Sequence, residues 1–319
     1  MKVARIRAAL KPWMLPIAMA GGIIFHDVMD YLAVLSPYLI FIMLLITYCK
    51  VNPAEFRITR LSWMLLSVQI IGGIIIYLLL QPLGETLAQA GFICMFCPTA
   101  TAAPVITGML GGSVPRLATF SLVSNFSVAI MAPVLFTLIG AHGHSAELSF
   151  INVAALISLK VVPLILGPLA VAMAIKVTVP RFHKAIATRQ GLSFYIWAVS
   201  LFIVVGKAVS YVIAHIGQPG ASGTLMLSIA GISLIVCCLQ FYIGRKIGYR
   251  YGDRIAGAQG LGQKNTVLAI WMALTFLNPV ASIGPAAYVA WQNTINSLQL
   301  WFKAKKDAQH DDKSRLTNS

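Results

Sequence analysis

Gly257-Ala258-Gln259-Gly260-Leu261-Gly262-Gln263-Lys264-Asn265-Thr266 is the stretch that decides the fold. It lies inside an apolar segment running from about 255 to 276, and it packs glycines, side-chain amides and a lysine into ten positions. A cation at bilayer depth is costly and by default marks a functional site. Polar, irregular backbone at that depth persists only where it lines a protein or water cavity. The stretch therefore predicts a membrane protein whose polar centre holds a cation and not a carboxylate.

The rest of the chain agrees. It has 319 residues, 58% of them hydrophobic and only 10% charged, with a mean hydropathy of +0.82. An ordinary soluble domain carries about 25% charged residues, so nearly every segment here is needed to span a bilayer. There is no nucleophile–base–acid constellation and no phosphate-binding loop. Neither enzyme chemistry with catalytic residues nor ATP use is expected, and no cofactor. Cys94-x-x-Cys97 has the spacing of a redox or zinc pair, but no second pair or nearby histidine completes a metal site. The five cysteines read as small apolar fillers. The basic start, Met1 to Trp13, precedes an apolar run that continues to Phe25 and reads as an uncleaved first helix.

About 20 apolar residues cross a bilayer as a helix. Ten segments qualify: 12–26, 32–49, 61–80, 86–112, 116–140, 150–175, 191–214, 223–244, 255–276 and 279–301. Lys and Arg in alternate loops set orientation. The N-terminus, loops 2–3, 4–5, 6–7 and 8–9, and the tail hold every basic residue except Lys160, Lys207 and Lys264. The opposite loops hold Asp27, Asp30, Glu85 and Glu147 and no basic residue. This predicts a multi-pass protein of the inner (plasma) membrane with both termini cytoplasmic. It also explains the net charge of +15 without nucleic acid as a partner. None of the nine acidic residues falls inside a predicted span, so the three internal lysines have no carboxylate partner there.

The chain divides into 1–148 and 149–302, five helices each, with a basic cytoplasmic tail at 303–319. An odd number of helices per half inverts the second half relative to the first. Helices 4 and 9 correspond, and both are interrupted: one at Cys97-Pro98-Thr99-Ala100-Thr101-Ala102-Ala103-Pro104, the other at Gly257 to Thr266. Paired interruptions in inverted halves are the best sequence pointer to a transporter site. Pro98 and Pro104 each remove a helix hydrogen bond, and Gly257, Gly260 and Gly262 are expected to loosen the partner helix.

These motifs resemble the bile acid:sodium symporter family. Cys97-Pro98-Thr99-Ala100-Thr101 followed by Gly111-Gly112 is similar to that family's fourth helix. Gly260-Leu261-Gly262-Gln263-Lys264-Asn265-Thr266 is similar to its ninth, and Gln69, Gln292, Asn293, Asn296 and Ser297 also fit. The resemblance implies an all-α fold of ten transmembrane helices in two inverted five-helix repeats, with the broken helices 4 and 9 crossing. Helices 1, 2, 6 and 7 would form a panel and the others a core. Substrate would bind between them, and relative movement would alternate access.

The departures concern the sodium sites. The family's ninth-helix glutamate position is Gly260 here, the following glutamine is Lys264, and a Ser-Asn pair in helix 4 is Ala103-Pro104. In helix 5 one hydroxyl position is Leu117, while Ser121 keeps the other. Sodium, as a hard cation, wants oxygen ligands and negative charge, so classical sodium coupling is not expected. The resemblance implies that Lys264 stands where the ion would, near Gln69, Asn265, Gln263, Thr266, Thr99, Thr101 and Ser121. Buried lysines have readily perturbed proton affinity. Lys264 either titrates, coupling transport to protons, or keeps a fixed charge. Helix N-termini at the breaks favour negative ligands. With Lys264, and with Lys160 and Lys207 from the panel, they point to a small organic anion as substrate and the lipid bilayer as the other partner. Two competing readings stay open: an arsenite efflux permease using Cys97, and a non-transporting membrane sensor on a carrier fold.

Overall fold

The computed structural model describes residues 14–49, 57–100, 103–140, 150–188, 190–215 and 222–317. These residues are almost entirely helical, and among them there is no strand. The helices are α1 (Met14–Ile24), α2 (His26–Leu32), α3 (Ser36–Cys49), α4 (Arg60–Leu80), α5 (Glu85–Phe96), α6 (Ala103–Leu110) and α7 (Val114–Gly140). They continue as α8 (Phe150–Thr178), α9 (Pro180–Thr188), α10 (Gln190–His215), α11 (Gly223–Arg250), α12 (Arg254–Gly262), α13 (Thr266–Phe276) and α14 (Ile283–Thr317).

Four stretches, Arg60–Leu83, Val114–Gly140, Ile151–Thr178 and Gly223–Arg250, are long and apolar enough to cross a membrane. α4 shows how the sequence builds one. A capping box between Thr59 and Ser62 starts it, and 21 helical residues at about 1.5 Å each match the bilayer core. Ile71, Ile75, Leu78 and Leu79 remain exposed on it, whereas Leu65 and Gln69 are buried. Exposed aliphatic rows are what a helix needs when its outer solvent is lipid.

The helices pack in two groups. α10 packs on α1, α2 and α3, α3 on α8, and the short α9 on α8 and α3. The other group rests on two hairpins, α4 with α5 and α11 with α12. In it α5 also meets α11 and α14, α12 meets α6 and α7, and α13 meets α14. Contacts of α7 with α8 and of α13 with α10 join the groups. An aromatic chain stiffens the second group: Phe92 stacks on Phe96 at 5.0 Å, Phe96 meets Phe136 edge-on at 6.0 Å, and Phe136 stacks on Phe276 at 5.6 Å.

Several boundaries differ from those read in the sequence. The eighth predicted segment ends at 244, but α11 runs to Arg250, because basic residues are favourable beside the last carbonyls of a helix. α14 carries on through the basic tail to Thr317. α9 is an additional helix between the sixth and seventh predicted segments.

Candidate functional site

The two interruptions meet. α5 stops at Phe96, and α12 stops at Gly262. Beyond them Thr99 and Lys264 face each other as an isolated antiparallel β-bridge. Ala100 N donates to Gln263 O at 2.9 Å, and Asn265 N donates to Pro98 O at 2.8 Å. Non-helical backbone in an apolar interior must find partners for its N–H and C=O groups, and here each break supplies them to the other.

The ends of the half-helices are satisfied by side chains. A helix leaves its last carbonyls without intrahelical partners. At the end of α5, Gln240 Nε2 donates to Cys94 O at 3.1 Å, Lys264 Nζ to Met95 O at 2.8 Å, and Gln69 Nε2 to Phe96 O at 2.7 Å. At the end of α12, Thr99 Oγ1 donates to Gly260 O at 2.8 Å and Tyr288 OH to Gly262 O at 3.0 Å. The capping is reciprocal: each break sends a side chain to the other half-helix. Lys264 is 1% exposed and reaches the negative end of a helix dipole, where a cation is favourable. Among the described residues no carboxylate pairs with it.

A second tier holds the bridge. Gln292 Oε1 accepts from Lys264 N at 2.9 Å, and Gln292 Nε2 donates to Lys264 O at 3.4 Å. Ser124 Oγ donates to Gln69 Oε1 at 2.8 Å and accepts from Thr99 N at 3.3 Å. Cys97 Sγ donates to Asn265 O at 3.2 Å, so the thiol is part of the bridge.

The residues singled out in the sequence divide as follows. Lys264, Gln69, Thr99, Gln263 and Asn265 come together at the crossing, all buried. Gln69 touches the end of α5 and not Lys264. Asn265 caps α13 by accepting from Leu268 N. Thr266 opens α13 with a buried hydroxyl that has no hydrogen-bond partner among the described residues. Ser121 is buried on α7, but the α7 hydroxyl that reaches the break is Ser124, one turn further on. Lys160 is exposed on α8, and no hydrogen bond joins it to the crossing among the described residues. Thr101 lies outside the described residues.

The helix breaks need correction. Pro98 lies in the first break, but Pro104 is the second residue of α6, where proline's missing N–H costs nothing. The second break is only Gln263, Lys264 and Asn265. Gly257, Gly260 and Gly262 are all helical, within α12. They are there for close approach. A Cβ on Gly257 would land on the Gly244 carbonyl oxygen and lie 2.7 Å from Gly248 Cα. One on Gly260 would lie 2.9 Å from the Phe120 ring, and one on Gly262 would enter the Phe241 ring.

Sequence reasoning missed Ser124, Gln240 and Tyr288 as site residues, and it brought in Gln292 only through the family resemblance. The available signal was polarity in apolar helices: each is a hydrogen-bonding side chain inside a predicted span.

Residues 48–288 match the SBF-like CPA transporter family. No curated protein matches the chain.

Proposed function

The chain belongs to the SBF-like CPA transporter family, and on that premise we propose a secondary carrier of a small organic anion, working by alternating access without classical sodium coupling. Lys264 takes the place of the ion. The observation that carries this reading is the Lys264 Nζ contact on the Met95 carbonyl, at the point where two broken helices cross. A cation there stabilises the converging backbone as a bound ion would, but it is covalently attached and costs nothing to recruit.

Among the described residues no carboxylate pairs with Lys264 at the crossing, which argues against a sodium site there. The ion needs free oxygen ligands, preferably with a carboxylate. The carbonyls of Cys94, Met95 and Phe96 are already taken by N–H donors from Gln240, Lys264 and Gln69. The reciprocal capping by Lys264 and Thr99 supports ten spans in two inverted repeats, because inversion makes each break the counterpart of the other. The first packing group then acts as the panel and the second as the core. The charge pattern of the loops supports cytoplasmic termini and an inner-membrane location.

The test is uptake of a mixed organic-anion pool into proteoliposomes, with sodium and proton gradients imposed separately. We expect flux that ignores sodium and falls at least tenfold in both Lys264→Ala and Lys264→Met. Flux driven by sodium, or undiminished in both variants, would overturn the reading. Flux driven by the proton gradient in the wild type would favour the titrating alternative for Lys264 over the fixed charge. Binding without any flux would favour a sensor.

A further inference from the structure

A cavity of about 360 Å³ opens where the two packing groups meet, between the turn before α3, α10 and α13. Its wall includes Ser36, Val204, Lys207, Trp271 and Thr275, with Tyr31 at its rim. We propose that this cavity is the outer binding site for the transported anion, with Lys207 and the Ser36 hydroxyl receiving the acidic group and Trp271 and Val204 holding an apolar, ring-sized body. The proposal rests on the carrier reading above and assigns residues that the reading does not.

Three observations converge. Lys207 brings a cation to a wall whose other described residues are neutral, and among the described residues no acidic one lines the cavity. Lys207 has an interaction of its own within the protein; an ammonium has three donors, so an anion takes another of them. The Ser36 hydroxyl is the independent sign. Ser36 is 1% exposed and lines the cavity, and its buried hydroxyl has no hydrogen-bond partner among the described residues. A buried hydroxyl left alone is costly, and a ligand oxygen beside Lys207 would relieve it. The volume falls at the small end of ligand pockets, which run from about 300 to 1,000 Å³, and it suits one or two rings better than a large steroid.

Position gives the site a consequence. Trp271 and Thr275 lie on α13, the half-helix that starts at Thr266, two residues after Lys264. Trp271 is about 10 Å along the helix axis from the crossing. An occupant wedged between α13 and α10 therefore touches both packing groups and loads the same rigid element that ends at the lysine.

Purified protein in nanodiscs is titrated calorimetrically with naphthalene-2-sulfonate, with the neutral naphthalene-2-sulfonamide, and with 2-naphthylmethylammonium. We expect the sulfonate alone to bind well, Lys207→Met to weaken it at least tenfold, Ser36→Ala to weaken it several-fold, and Lys207→Arg to keep most of it. Equal binding of all three probes, or sulfonate binding unchanged in both Lys207→Met and Ser36→Ala, overturns the site. Should Lys207→Met fail to fold, Ser36→Ala and Lys207→Arg decide. Uptake is measured in parallel. Intact sulfonate binding without flux counts against the carrier reading alone, whereas flux with unchanged binding in the variants counts against this cavity alone.

Discussion

Thr99 and Lys264 solve one problem with different chemistry. Each sits in a break, faces the other across the bridge, and caps a carbonyl at the end of the opposite half-helix. Thr99 uses a neutral hydroxyl, which makes its contribution easier to isolate than that of a charge. Thr99→Val keeps the volume and removes the bond to Gly260 O, leaving a buried carbonyl unsatisfied at about 1–3 kcal/mol. The expected result is a lower thermal unfolding midpoint in detergent and reduced uptake, both largely restored in Thr99→Ser. A Val variant as stable and active as the wild type, with Ser worse than either, would show that the hydroxyl does not matter. At this scale the sequence was legible where charge was concerned: a lone lysine in an apolar span has few acceptable explanations. It was not legible where rotation decides. Ser121 and Ser124 share one turn of α7, and only the packed structure shows that Ser124 reaches Thr99 N.

Among the elements, α11 and α12 form the closest pair. They are joined through a turn containing Gly252, whose φ of 77° suits glycine, and the Gly244 and Gly248 backbone lies directly against Gly257. Asp253 fixes that turn, accepting from Ala256 N at 2.8 Å to start α12 and from Ser113 N at 2.9 Å to hold the neighbouring loop. Glycine has two distinct uses, freedom of the backbone and absence of a side chain, and a lone sequence does not say which applies. The glycines of α12 were read as the first and are the second, because each meets a residue of another helix: Gly257 meets Gly244 and Gly248 of α11, Gly260 meets Phe120 of α7, and Gly262 meets Phe241 of α11. Two substitutions separate these uses. Gly257→Ala drives a methyl into rigid backbone, and overpacking of this kind costs about 1–3 kcal/mol or more. Gly231→Ala, on the same hairpin, has nothing within 4 Å of the added carbon and gains helix propensity of up to about 1 kcal/mol. Thermostability followed by size-exclusion chromatography should fall clearly for the first and hold or rise for the second. Equal behaviour would mean that the helices separate easily and that glycine at 257 serves flexibility after all.

Across the whole molecule, the strongest constraint is that charge is kept out of the apolar bulk except where backbone can use it. Three acidic residues sit at helix ends: Glu85 at the first turn of α5, Asp253 before α12 and Asp27 near the start of α2. The basic residues cluster in alternate connections of the ten predicted segments, a division that favours one orientation. That division makes orientation testable without knowing the substrate. Gln81 follows α4 and is exposed; Tyr249 ends α11 and is 78% exposed. On the inverted ten-helix topology, the first faces outward and the second faces the cytoplasm. In a Cys238→Ser background, which removes the exposed native thiol, Gln81→Cys should react with a membrane-impermeant maleimide on intact spheroplasts. Tyr249→Cys should react only after permeabilisation. The opposite pattern would invert the protein, moving the Lys207 cavity to the cytoplasmic side and turning the proposed outer site into one for export. Labelling of both from the same side would remove the odd number of spans between them, and with it the inverted repeat on which the correspondence of Thr99 and Lys264 depends.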